Sequence, residues 1–175
     1  KPLFEDTTGD DEQQPRVSSD GKRIAYISDR ESEDGDHDLW VAEIPSGTGE
    51  RLTRARLVRV RGVEGFPSWS PDNSRVAFFA VRENAGGVWV VNVPDPLVPP
   101  PAPQNDGGPP VRPRAPETAV LVSRHGGAPA WSPDGKTIVF TSSEATKKLR
   151  SSLWAISVAD GSVREIYSTP DPIGR

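Results

Sequence analysis

The sequence predicts an all-β protein assembled from three successive four-stranded antiparallel units. Three observations carry that expectation. A proline, a serine and an aspartate turn recur at fixed offsets in three places along the 175 residues. Each occurrence is followed, at a similar distance, by a tryptophan between aliphatic residues. Helical periodicity is absent throughout, whereas alternating apolar and polar residues are frequent.

The first unit opens at Gln14–Tyr26 (QPRVSSDGKRIAY), the second at Phe66–Phe78 (FPSWSPDNSRVAF) and the third at Ala128–Phe140 (APAWSPDGKTIVF). The anchor prolines Pro15, Pro67 and Pro129 are 52 and 62 residues apart. Within a unit, Pro-x-Trp-Ser reads as a short first strand. Ser-Pro-Asp-Gly is turn chemistry: proline presets φ, aspartate bonds back to the backbone and glycine accepts a positive φ. Asn73 stands in the glycine's place in the second unit, and asparagine is the next best residue there. A second strand follows, with Ile24 and Tyr26 on one face and Ala25 and Ile27 on the other. A polar loop then leads to a third strand carrying Trp40, Trp89 or Trp154. Glycine-containing turns, Ser46–Gly49 or Asp160-Gly161, lead to fourth strands expected at Glu50–Thr53, Thr118–Ser123 and Ser162–Tyr167. Four antiparallel strands repeated in this way are the blades of a β-propeller.

The expected blades run from about 14 to 54, 65 to 123 and 127 to 169. The second is interrupted at 94–117. There Pro94–Pro116 reads PDPLVPPPAPQNDGGPPVRPRAP, too proline-rich for a packed strand or helix. It is expected to be a disordered or polyproline-II excursion, a solvated loop insertion before it is a docking site.

The pattern P-x-W-S-P-D-G-K-x-I-x-F, then L-W-V, then R-x-L-T, resembles the TolB-type WD40-like (PD40) β-propeller repeat. Pro129 to Phe140 matches its first half almost residue for residue. Ser28-Asp29-Arg30 and Arg51-Leu52-Thr53 resemble later parts of the same repeat. The first unit departs from it with Val17 and Ser19 where tryptophan and proline are frequent. The resemblance spans nearly the whole chain apart from the proline-rich loop and both ends. It implies six blades, hence that three blades are part of a six-bladed or larger parent, or a half that pairs with a second half-propeller. It also implies a bacterial, periplasmic or otherwise extracytoplasmic setting. Similar repeats form the propellers of prolyl-oligopeptidase-like serine peptidases and of some amidohydrolase fusions, in which a separate domain performs the chemistry.

Composition narrows the function. There are 21 Lys and Arg against 25 Asp and Glu, a formal net charge of −4, which argues against general nucleic-acid binding. Apolar residues make up 34% and mean hydropathy is −0.55. No stretch approaches the roughly 18 apolar residues of a membrane span. No signal peptide is visible. Because the chain starts at Lys1 and contains no methionine, it is expected to be processed or cut from a longer product. Without cysteine, disulfides and thiolate chemistry are excluded. With two histidines, His37 and His125, so are multi-histidine metal sites.

Motif chemistry adds little. Asp34-Gly35-Asp36-His37-Asp38 has the opening spacing of a calcium loop, but Leu39 and Pro45 stand where glycine and a bidentate glutamate belong. No G-x-S-x-G accompanies His125, so no hydrolytic triad is expected. No cofactor or metal is expected. The five tryptophans are read as packing between blades rather than as stacking platforms.

Charge, by contrast, is segregated. Asp29, Glu31, Glu33, Asp34, Asp36 and Asp38 crowd the loop between the second and third strands of the first unit. Arg51, Arg54, Arg56, Arg59 and Arg61 follow in the connector to the second unit, where Val58, Val60 and Val63 alternate as in a short exposed strand. Lys147, Lys148 and Arg150 occupy the corresponding loop of the third unit. In a propeller these loops share one face. The expectation is therefore a non-catalytic scaffold that binds a protein or peptide there, with Glu31, Glu33, Asp34, Asp36, Asp38, Arg54, Arg56, Arg59, Arg61, Lys147, Lys148 and Arg150 as candidate contacts. The alternative is the substrate-gating propeller of a peptidase or amidohydrolase whose catalytic domain lies elsewhere. Half-propellers pairing through open blade edges are a third reading.

Overall fold

The computed structural model describes residues 11–30, 36–46, 53–58, 64–82, 85–97, 119–124, 126–143 and 151–168. They form three four-stranded antiparallel sheets and no helix. The first blade comprises β1 (Glu12–Val17), β2 (Arg23–Ser28), β3 (Asp38–Glu43) and β4 (Arg54–Val58). The second comprises β5 (Glu64–Trp69), β6 (Arg75–Arg82), β7 (Ala85–Asn92) and β8 (Val120–Ser123). The third comprises β9 (Gly127–Trp131), β10 (Thr137–Ser143), β11 (Ser151–Ser157) and β12 (Val163–Ser168). Each sheet is a meander in chain order, and β5 lies against both β1 and β9.

The first turn of every blade is built alike. The Ser18 hydroxyl donates to Asp20 at 2.6 Å and accepts from the Arg23 amide at 2.9 Å. Ser70 with Asp72, and Ser132 with Asp134, repeat this at 2.5 and 2.6 Å. Gly21, Asn73 and Gly135 take the left-handed position at φ 72°, 59° and 70°. These bonds hold the turn aspartates as anions: Asp72 is lowered to about 2, chiefly by the Ser70 hydroxyl, and Asp20 and Asp134 are lowered for the same reason.

Alternation along the strands sorts side chains to the two faces of each blade. Ala25, Ile27, Leu39 and Val41 face the second blade and pack on Val76, Phe78 and Trp69. Ala77 and Val88 face the third and pack on Ile138, Phe140 and Ile156. Ile24, Tyr26, Trp40 and Ala42 form a further buried layer on the remaining face of the first blade. Burial there pushes the Tyr26 hydroxyl up to about 12. The third blade ends differently, with Leu153, Ile166 and Tyr167 exposed.

The structure corrects three expectations. Among the described residues the fourth strand of the first blade is Arg54–Val58, beyond the expected Glu50–Thr53, of which Glu50, Arg51 and Leu52 lie outside the described residues. Thr53 contributes only its carbonyl, which accepts the Glu43 amide at 2.8 Å, and the ladder proper begins at Ala42 opposite Arg54. The start of the supposed connector is thus a structural strand, and Val58 at its end is buried, not exposed. Finally, the proline-rich excursion does not begin at Pro94. Residues 94–97 belong to the folded body, and Leu97 is 4% exposed within the apolar cluster between the first two blades. The remainder of that segment lies outside the described residues.

Candidate functional site

Of the charged residues expected to meet a partner, Glu31, Glu33, Asp34, Arg59, Arg61, Lys147, Lys148 and Arg150 lie outside the described residues, as does His125. Asp36 and Arg54 are half-buried. Asp38 and Arg56 are spent within the blade. Their side chains are 6% and 7% exposed and joined at 3.2 Å, and the Arg56 guanidinium lies 5.4 Å over the Trp40 ring. The sequence signal was the alternation Arg54-Ala55-Arg56-Leu57, a strand pattern rather than a loop pattern. Around the acidic loop, Arg30 pairs with Glu12 at 3.0 Å, and Asp29 accepts the Asp11 amide at 2.8 Å. These bonds tie the base of the loop to β1. Among the described residues no three His, Asp or Glu side chains converge as a metal site would need.

The inner strands carry a feature the sequence did not announce. Gln14, Phe66 and Ala128, each immediately before its blade's anchor proline, adopt φ of 53°, 54° and 48°. A residue before proline is normally driven to extended backbone, and non-glycine residues seldom accept positive φ. The strain coincides with a register shift in all three inner ladders. It is therefore part of the blade's construction. At the first blade the Gln14 amide oxygen accepts the Phe66 N–H at 2.6 Å, linking one bulge to the next.

At the second blade the bulge presents Phe66, 47% exposed. Phe66 borders a groove of about 520 Å³ with Phe79, Gly86, Gly126, Gly127 and Thr141. Gly86 follows the second-to-third strand connection, and Gly126-Gly127 enters the next blade. The groove therefore opens on the face expected to meet partners. Packing requires glycine at Gly126 and leaves little room at Gly86. A Cβ on Gly126 would collide with the Phe140 ring, and one on Gly86 would sit 3.0 Å from Phe79. The Thr141 hydroxyl donates to the Gly127 carbonyl at 3.0 Å and stiffens the edge. An apolar, aromatic-walled groove with backbone close to its surface suits an extended peptide.

No protein-family model matches the chain, and no curated protein matches it. Solved structures do. A protein assigned as TolB from Agrobacterium tumefaciens superposes with a TM-score of 0.60 at 18% identity, over 87% of this chain and 45% of that one. The fold is a partial TolB-like β-propeller. The β-propeller domain of the Trilobed protease from Pyrococcus furiosus gives 0.55 at 13% identity, over 92% of this chain and 43% of that one. The acylaminoacyl peptidase of Pyrococcus horikoshii gives 0.56 at 13% identity, over 94% and 26%. The chain spans less than half the length of each. At these identities the likeness concerns the propeller's architecture. No helix among the described residues is long and apolar enough to cross a membrane.

Proposed function

We propose that this chain is part of a non-catalytic propeller that binds a protein or peptide on the face carrying the second-to-third strand loops, in an extracytoplasmic setting. The half-exposed Phe66 beside the glycine-lined groove supports this most directly. A large aromatic ring held out by a strained backbone is a poor choice for solubility and a good one for recognition. The charged loops expected on that face, with Glu31, Glu33, Asp34 and Asp36 on the first blade and Lys147, Lys148 and Arg150 on the third, would steer the partner and set its salt dependence. Arg54, paired with Ala42 beside the third-to-fourth strand turn, stands at the opposite end of its blade and takes no part.

The test selects peptides from a random displayed library on the immobilised chain and measures their affinity for Phe66→Ser. A loss of about tenfold or more is expected for removal of a central aromatic anchor. Selected peptides that bind Phe66→Ser as well as the parent would refute the groove. Reversing the acidic loop charges should flatten the salt dependence. The second reading, the propeller of a peptidase, draws on the similarity to the two archaeal peptidase propellers. The mass of the native polypeptide separates the two. A further domain's worth of mass, carrying a nucleophile motif, favours the peptidase.

A further inference from the structure

The two interfaces between blades are built from matching residues but are not equally filled. Around Trp69, the first interface packs Val41, Leu57, Val76, Val91 and Val93. Around Trp131, the second packs the counterparts Val90, Val122, Ile138, Ile156 and Val158. The first also contains Leu97, which arrives from the root of the proline-rich segment. Among the described residues the second has no such side chain. There the third and fourth strands are joined by the tight turn at Asp160-Gly161, with Gly161 at φ 70°. A cavity of about 260 Å³ stands among the counterpart residues, with Arg75 and Asn92 at its edge.

The polar groups differ in the same sense. Arg23, at the start of β2, meets Asp95 at 2.6 Å. Its counterpart Arg75 has no carboxylate within ion-pair distance among the described residues; its guanidinium lies 4.8 Å over the Trp131 ring. The Trp69 indole N–H donates to the Arg16 carbonyl at 2.8 Å. The Trp131 indole N–H is sealed from solvent and finds no partner. A buried donor without an acceptor is costly. Among the described residues the second interface thus lacks one aliphatic group and one anion, both of which the first receives from Asp95-Pro96-Leu97.

We propose that the cavity between the second and third blades, bordered by Arg75, Trp131 and Val122, binds a peptide segment in which an aspartate precedes a leucine or isoleucine by two residues. The carboxylate closes on Arg75, as Asp95 does on Arg23, and the aliphatic side chain enters among Val122, Ile138 and Ile156. Asp95 and Leu97 show the arrangement within the same chain. The first turns and the third-to-fourth strand turns share the face opposite the Phe66 groove, so this site is independent of the groove.

The test follows the indole N–H resonances of the isotope-labelled full chain while adding a capped hexapeptide with the sequence of residues 93–98. The Trp131 resonance, assigned through Trp131→Phe, should shift and saturate. Arg75→Gln in the protein, or aspartate to asparagine in the peptide, should each weaken binding about twofold, the effect of a solvent-screened ion pair. The two changes together should cost little more than either alone. Val122→Trp, which fills the cavity, should abolish the shift. Unmoved indole resonances elsewhere show that these variants remain folded. An unmoved Trp131 at millimolar peptide overturns the proposal. So does a shift at Trp69 instead, or one indifferent to Arg75→Gln and Val122→Trp. Pro170-Asp171-Pro172-Ile173 repeats the motif in sequence. Movement of Trp131 on dilution alone would therefore assign the cavity to a second copy and overturn the claim for a foreign peptide.

Discussion

Among the described residues, Leu97 packs into the interface between the first two blades and no counterpart enters that between the second and third, although alternation places equivalent residues in both. Sheet packing alone does not complete a propeller interface. The connection between the third and fourth strands decides it, because that connection runs past the mouth of the gap. Where it is a long excursion, it supplies Leu97 and Asp95. Where it is a turn through Gly161, it supplies nothing.

The strongest way to break the contrast is Leu97→Ala. It should give the first interface the deficiency of the second and cost about 2–5 kcal/mol, as core leucine truncations do. Urea denaturation of the full chain checks it, and a loss below about 1 kcal/mol would mean that Leu97 is not a packing element. Next in size is a matched pair, Trp69→Phe and Trp131→Phe. Trp69 is the more buried of the two and its N–H is bonded to the Arg16 carbonyl, whereas Trp131→Phe removes an unpaired donor and keeps a ring beneath Arg75. Trp69→Phe should be the more destabilising by about 0.5–1.5 kcal/mol. Val158→Leu should partly fill the open interface and stabilise the chain by about 0.5–1 kcal/mol. Equal or lower stability in urea would show that the space is not available to the protein's own side chains.

Two smaller effects sharpen the comparison. Asp95→Asn should cost no more than about 0.5 kcal/mol, because Asp95 is 81% exposed and its pair with Arg23 is screened. Acid acts alike on the first turns of all three blades, and in the third blade also on Asp160, lowered to about 2 chiefly by the Ser162 amide. The turn aspartates have lowered values, Asp72 reaching about 2. Their stabilising contribution is therefore complete above about pH 4 and fades as pH falls toward 2. All three blades carry this turn, so melting temperatures of the parent and Leu97→Ala should fall in parallel over that range. Converging curves would place the acid-sensitive groups in one interface.

The sequence was legible where chemistry repeats. Ser18, Ser70 and Ser132 with their aspartates predicted the turns, and the alternation of β2 predicted which residues share a face. It was less legible where a residue's role depends on what lies across a sheet. Asp38 and Arg56 look like members of charged loops, and only the ladder brings them together. Leu97 is hidden by composition, since six prolines within eight residues of it suppress any packing signal. The positive φ at Gln14, Phe66 and Ala128 contradicts the local rule for residues before proline, so no local reading would propose it. Repetition was the one available clue, because three unlike side chains precede the same proline.

That last feature has an evolutionary meaning. Glutamine, phenylalanine and alanine all occupy the same kinked position, so the bend is imposed by the blade and not by the side chain. Each blade therefore offers one position beside the propeller's axis where the residue is free to change while the backbone stays as it is. Specificity can be rewritten there blade by blade, as interchangeable type in a fixed frame.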